Sequence, residues 1–165
     1  MKMVMLLIGL GLSKASLHDQ RELSFYHTHT GKTLAVVYYR DGEYLDEALR
    51  HIDDHLKDFR NGERHPIDPA LLDVLFEIRT RTGSRAPFEV ISAYRSPRTN
   101  EMLRGRSSGV AQNSMHLQGQ AIDVRLRDVT LDELRDAARN LARGGVGFYP
   151  ESEFVHVDTG RVRYW

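Results

Sequence analysis

Ser114-Met115-His116-Leu117-Gln118-Gly119-Gln120-Ala121-Ile122-Asp123-Val124 joins two kinds of local structure in one short run. From Gln120 through Leu126 polar and apolar side chains alternate, which is the period of a strand. Ala121 does not break the pattern, because alanine is tolerated on either face. Ile122 and Val124 are then expected to face a core, with Asp123 on the other face beside Arg125. Ahead of the strand, His116 sits on a loop, and Gly119 lets the chain turn sharply from one to the other.

His116 and Asp123 stand seven positions apart, which excludes a helical pair at i, i+3 or i+4. The spacing suits a loop ligand followed by a strand ligand. A second imidazole arrives in Phe154-Val155-His156-Val157-Asp158, again with strand alternation. Two His and one Asp are a donor set that a catalytic zinc accepts, three protein ligands with a position left open. His116, Asp123 and His156 are therefore expected to form one zinc site.

Working outward from that core, strands are expected over 22–26 and 33–39, joined by a hairpin loop over 27–32 with Gly31 at its turn. A helix is expected over 43–60, its apolar stripe being Leu45, Ala48, Leu49, Ile52, Leu56 and Phe59. Asp68-Pro69 opens a second helix that stops at Gly83, and Ser96-Pro97 opens a short third one through Met102 and Leu103. Between them lies a buried strand over 88–93. The polar, glycine-containing segment 105–113 reads as a mobile loop. Thr130-Leu131-Asp132-Glu133 is a capping box, and Leu134, Ala137, Ala138 and Leu141 carry its helix to Gly144-Gly145. Short strands over 146–148, 154–158 and 162–165 finish the chain. Helices come early and the chemistry-bearing strands late. The fold class expected is α+β, a mainly antiparallel sheet flanked by helices.

A length of 165 residues fits one domain able to bury a core. The net charge of +0 and the absence of a basic run give no sign of a nucleic-acid partner. With 0 cysteines, any metal must be held by His and carboxylate. Met1-Lys2 followed by the apolar run 3–12 has the form of an export leader. It is too short to span a bilayer, and Ser13-Lys14-Ala15 offers small residues at a cleavage site. Residues 1–15 are taken as this leader and 16–165 as a single domain.

Other residues have two readings each. Glu153, three positions before His156, could move a proton beside the metal, or be part of an ordinary acidic turn after Pro150. Arg95, at the end of the 88–93 strand, could bind a substrate carboxylate or an oxyanion, or pair locally. Asp158 could orient His156 or close a turn with Thr159-Gly160. His51 and His55 are spaced as a helical pair but lack the Glu that a helical metalloprotease motif places after the first His. His27 and His29 fall in the hairpin loop, and His18 and His65 have no evident partners.

Three segments in this order, Ser92-Ala93-Tyr94-Arg95-Ser96, Ser114-x-His116-x-x-Gly119-x-Ala121-x-Asp123 and Phe154-Val155-His156-Val157-Asp158, resemble the zinc murein peptidases of the D-Ala-D-Ala carboxypeptidase, lysostaphin and Hedgehog-like superfamily, in their periplasmic murein endopeptidase branch. The resemblance covers most of the chain after Glu22. It implies a Hedgehog/DD-peptidase-like fold and Zn2+ on His116, Asp123 and His156. It further implies Glu153 as general base and Arg95 as the group that steadies substrate or oxyanion. Much of the superfamily has a His two residues before the last ligand, where this chain has Phe154, and that puts more weight on Glu153.

The expectation is therefore an exported or periplasmic zinc metallopeptidase, acting as a monomer on the stem peptides of peptidoglycan and cutting their cross-links. The mature chain is expected to have no transmembrane span. The alternatives are a D,D- or L,D-carboxypeptidase and a non-catalytic cell-wall binding module on the same fold.

Overall fold

The computed structural model describes residues 19–106 and 109–165. The expected leader and His18 lie outside the described residues.

Eight strands form one mixed sheet in the order β3-β2-β1-β4-β5-β7-β6-β8. They are β1 (Gln20–His27), β2 (Thr33–Arg40), β3 (Glu43–Tyr44), β4 (Phe88–Ser92), β5 (Ala121–Arg125), β6 (Gly145–Tyr149), β7 (Phe154–Asp158) and β8 (Arg163–Tyr164). Pairings β1–β4 and β6–β8 are parallel, and the rest are antiparallel. Together with helices α1 (Asp46–His55), α2 (Pro69–Thr82), α3 (Pro97–Arg104) and α4 (Leu131–Leu141), this is the expected α+β architecture with a mainly antiparallel sheet.

Alternation explains where the core sits. Leu23 and Phe25 of β1, Phe88 and Val90 of β4, Ile122 and Val124 of β5, and Val155 and Val157 of β7 are buried in one cluster. Ala48 and Ile52 of α1, Leu71, Leu72, Leu75 and Ile78 of α2, and Leu134 and Ala138 of α4 join them. Each of the larger apolar side chains contributes roughly 1.5–3 kcal/mol on burial. The intervening residues Glu89, Asp123, Arg125, His156 and Asp158 fall on the other face of the sheet.

Helix boundaries follow the capping residues. Asp68 accepts the N–H of Ala70 ahead of α2, and Gly83 ends that helix in the left-handed region at φ 66°. Ser96 accepts the N–H of Thr99 to open α3. Thr130 and Glu133 form the reciprocal capping box of α4.

Two expectations are corrected. The helix expected over 43–60 is shorter at both ends. Glu43 and Tyr44 pair with β2, where the Tyr44 hydroxyl donates to Asp73 at 2.7 Å. At the other end Asp58 turns inward, its carboxylate accepting the N–H of Arg60 and of Ser96 at 3.0 Å, so local side-chain bonding outcompetes the helix ladder. Gly144-Gly145 does not cap α4 either, because Ala142 takes the left-handed position at φ 51°. A Cβ on Gly144 would lie 1.7 Å from the carbonyl oxygen of Asp158, so the glycine serves close approach of β7 instead.

Candidate metal centre

Asp123 and His156 are direct cross-strand partners on β5 and β7. Side chains opposite one another on a shared face lie roughly 4.5–5.5 Å apart at Cβ, so this pair is set by register. His116 comes from a 3₁₀ turn, Met115–Gln118, which Gly119 closes at φ 65° before β5 begins. No side chain fits at that glycine, since a Cβ would stand 2.2 Å from the carbonyl oxygen of Pro66.

The third element is the exit of β4. Its register against β5 runs Glu89↔Arg125, Val90↔Val124 and then Ser92↔Asp123, a bulge at Ile91. Bulges bend a strand and re-aim the residues beyond the bend. Here the segment turns so that the Ala93 carbonyl receives Nδ1 of His116 at 2.7 Å, while the Arg95 N–H donates to the His116 carbonyl at 3.1 Å.

These anchors decide which nitrogens are free. Ala93 offers only an acceptor, so His116 is protonated at Nδ1 and turns Nε2 toward Asp123 Oδ1, 3.3 Å away. His156 gives Nε2 to Asp158 Oδ2 at 2.9 Å and presents Nδ1 to the same Asp123 oxygen at 2.9 Å. One donor atom from each of His116, Asp123 and His156 lies within 4.8 Å of the others, and all three residues are buried. Among the described residues, no other group of three or more His, Asp or Glu meets that distance. A tetrahedral zinc with bonds of about 2.0–2.1 Å separates its donors by roughly 3.3 Å, so the donor types and spacings fit such an ion.

Charge is concentrated here. Burial opposes ionisation of Asp123, yet the two imidazoles outweigh it and hold the carboxyl well below the usual carboxylate range. Burial likewise opposes the imidazolium of His156, but the carboxylates of Asp123 and Asp158 prevail and push it up to about 9. Burial opposes ionisation of Asp158, which is 0% exposed, but His156, the N–H groups of Gly160 and Gly145 and Arg163 together keep it ionised.

The trio opens onto a cavity of about 350 Å³, whose wall includes Arg95, Ser114, Tyr149, Phe154, Arg163 and Trp165. Arg95 is buried, donates to Asn100 at 3.2 Å and to Ser92 at 3.4 Å, and its Nε has no partner among the described residues. Burial lowers its pKa, and the charge of Asp123 partly restores it. Trp165 stands with its ring centroid 5.3 Å from that of His156, and its indole N–H donates to the Tyr149 hydroxyl at 2.7 Å.

Glu153 stands apart from this cavity. Its side chain is 76% exposed and meets Arg125 Nη1 at 3.1 Å, beside the buried Glu89 that Arg125 and Arg127 also bind. Its backbone is left-handed at φ 53°. His65 stacks on Tyr94, and His27, His29 and His55 gather around Phe59 and Phe25.

The roles of the Ala93 carbonyl, Asn100, Arg163 and Trp165 do not emerge from the sequence reading. A carbonyl has no sequence signal. Trp165 has one: Gly145 and Gly147 alternate in a strand, a mark of something packed closely on that face. A Cβ on Gly147 would meet the Trp165 ring at 2.7 Å.

Comparison with known proteins points the same way. Residues 15–165 match the model of the family described as peptidoglycan L,D-endopeptidase MepK. The chain is 40% identical over 145 residues to the peptidoglycan L,D-endopeptidase MepK of Escherichia coli (strain K12), covering 88% of this chain and 80% of that protein. It is 41% identical over 155 residues to a protein of Haemophilus influenzae named probable peptidoglycan L,D-endopeptidase MepK, covering 93% and 83%.

Proposed function

Because the chain belongs to the peptidoglycan L,D-endopeptidase MepK family, we propose that it is a zinc-dependent hydrolase of peptidoglycan peptide cross-links, acting on the L,D bonds for which its relatives are named. The convergence of His116, Asp123 and His156 on one point carries the zinc part of this reading. A zinc ion there would polarise the scissile carbonyl and lower the pKa of the attacking water.

The chain's own groups supply the rest. Ala93 and Asp158 orient the two imidazoles, so their free nitrogens need no rearrangement to bind. Among the described residues Arg95 has no carboxylate bonded to it and an unpartnered Nε in the cavity wall, which suits a substrate carboxylate or a developing oxyanion. Glu153 is the proton carrier. That role requires its side chain to leave Arg125, a mostly exposed pair worth about 0–1 kcal/mol, and Arg125 keeps Glu89 when it does. The left-handed backbone at Glu153 closes the 3₁₀ turn over Pro150–Ser152 and leads the chain into β7. The substrate lies outside the cytoplasmic membrane, so the chain acts in the periplasm after export. No helix among the described residues is long and apolar enough to cross a membrane.

The outward carboxylate of Glu153 is the one observation that favours a non-catalytic wall-binding module instead. One experiment separates the two. Purified protein is incubated with cross-linked muropeptide dimers, with and without a chelator, alongside His116→Ala. Turnover that chelation stops, zinc restores and His116→Ala lacks supports the hydrolase. Binding to wall material with no fragment released, at full zinc occupancy, supports the module.

A further inference from the structure

A basic cleft lies on the outer side of α3 and takes no part in the chemistry above. Arg98, Met102 and Arg106 recur at every fourth position along α3 and the turn after it, so they share one side. Arg60, from the turn after α1, faces them, and Asn61 and Thr99 complete the walls of a cleft of about 570 Å³.

Some of the chain's guanidinium groups are already neutralised, and those of this cleft are among the ones that are not. Arg21, Arg64, Arg125, Arg135, Arg143 and Arg163 all pair with carboxylates. Arg60, Arg98 and Arg106 are exposed and pair with none among the described residues, Arg60 lying over the Phe59 ring at 4.2 Å. Of the acids at this corner, Asp58 is buried and already accepts the N–H groups of Arg60 and Ser96 and the Thr99 hydroxyl, and Glu101 of α3 is exposed three positions after Arg98 but does not line the cleft. Glu63 is held at the rim by Asn61. The chain as a whole carries a net charge of +0, so the positive cleft is a local concentration rather than a general excess.

Helix α3 ties this cleft to the metal centre. On its other side Asn100 is buried, accepts from Arg95 at 3.2 Å and donates to the Ala111 carbonyl at 3.1 Å, and Ala111 lines the catalytic cavity. Arg60 lies near enough to Arg95 for its charge to depress the Arg95 pKa.

We propose that Arg60, Arg98 and Arg106 form a docking subsite for the carboxylate groups of a second peptide chain of the same wall polymer, next to the one being cut. The assignment rests on the peptidoglycan reading. Guanidinium forks match carboxylates in geometry as well as charge. A single exposed pair is weak, but a polymer repeating its carboxylates engages the cleft and the catalytic cavity together and gains by effective concentration. The subsite therefore acts on the polymer and is idle with a short soluble substrate.

The test is the double variant Arg98→Glu/Arg106→Glu, with the neutral Arg98→Gln/Arg106→Gln as a second variant should charge reversal disturb folding. Pelleting with intact sacculi should weaken about tenfold at ~50 mM salt and converge with wild type at ~500 mM, where screening removes the pairs. Release from sacculi should fall in step, while the rate on soluble cross-linked dimers stays within about twofold, since exposed pairs remote from the reacting bond contribute little to it. Unchanged pelleting at low salt, or an equal loss on soluble dimers, overturns the proposal. Converting the sacculus carboxylates to amides should erase the difference between wild type and variant. A difference that survives amidation assigns the cleft to phosphate and overturns the carboxylate. If wild type cleaves neither substrate, the peptidase reading fails, and the pelleting result alone still decides the cleft.

Discussion

Asp158 holds Nε2 of His156 at 2.9 Å, so it is Nδ1 of that ring that faces Asp123. Asp158→Asn keeps the shape and removes the charge. Outer carboxylates of this kind are worth about 10- to 100-fold in metal affinity, and a loss in that range is expected by competition with a chromophoric chelator. Asp158→Ala should also lower stability by roughly 3 kcal/mol or more, because it leaves the Arg163 charge and the Gly145 N–H without their acceptor. Unaltered affinity in Asp158→Asn would remove the orienting role.

The protonation of His156 sets a pH window for the metal-free protein. Its pKa is raised to about 9 from about 6.5 in the unfolded chain. The stabilisation is therefore complete below about pH 6.5 and disappears as pH rises through about 9. Asp123 and Asp158 are depressed, so their contribution is present above about pH 4 and fades as pH falls below it. In chelator, thermal melts should be highest between about pH 4 and 6.5 and decline toward pH 10. Metal replaces the proton, so loaded protein should keep its melting temperature up to about pH 9. A metal-free melt that is flat from about pH 6 to 10 would contradict the assignment.

Trp165 is the single tryptophan of the chain and stands 5.3 Å, centroid to centroid, from His156. Its fluorescence is a built-in reporter, and cobalt titration should quench it with saturation at one equivalent. Gly147→Ala drives a methyl into the ring, which Cβ would meet at 2.7 Å. It should shift the emission and raise KM while zinc content is retained. Emission indifferent to cobalt would place the indole away from the metal.

Gly119 and Gly31 share a left-handed backbone, φ 65° and 68°, but differ in surroundings. A Cβ at Gly31 meets nothing within 4 Å, so Gly31→Ala should cost only about 1 kcal/mol of backbone strain. At Gly119 it meets the Pro66 carbonyl oxygen at 2.2 Å, and Gly119→Ala should lose at least ~3 kcal/mol together with metal binding. Urea unfolding of the two variants side by side decides the point. Equal losses would mean that conformation alone, not the Pro66 contact, demands glycine at 119.

Glu153→Gln separates a proton carrier from a surface ion pair. Loss of general acid–base catalysis lowers kcat by about 10²–10⁴, whereas loss of an exposed pair with Arg125 changes stability by less than about 1 kcal/mol. The expected result is a kcat reduced by two orders of magnitude or more, with an unchanged melting temperature. Full activity would return Glu153 to the acidic turn after Pro150.

The capping signals at Asp68, Ser96 and Thr130 and the alternation through Ile122–Val124 and Val155–Val157 are legible because they are local. A cap or a strand face is set by residues within a few positions of one another. The helix over 43–60 reads too long because its stripe continues through Leu56 and Phe59, while its ends are decided by distant partners, Asp73 for Tyr44 and Ser96 for Asp58. The same division runs through the site. The residue types and their spacing are compatible with a His, Asp and His donor set, and the resemblance to the zinc murein peptidases singles that set out. The bulge at Ile91 and the Ala93 carbonyl decide which nitrogen of His116 is free, and the β5–β7 register together with Asp158 decides it for His156. They also decide that Glu153 pairs with Arg125 and that Trp165 covers His156. Periodicity along a chain records which face a residue belongs to. The partner opposite that face depends on strand pairings between segments far apart in sequence, and only the folded sheet supplies them.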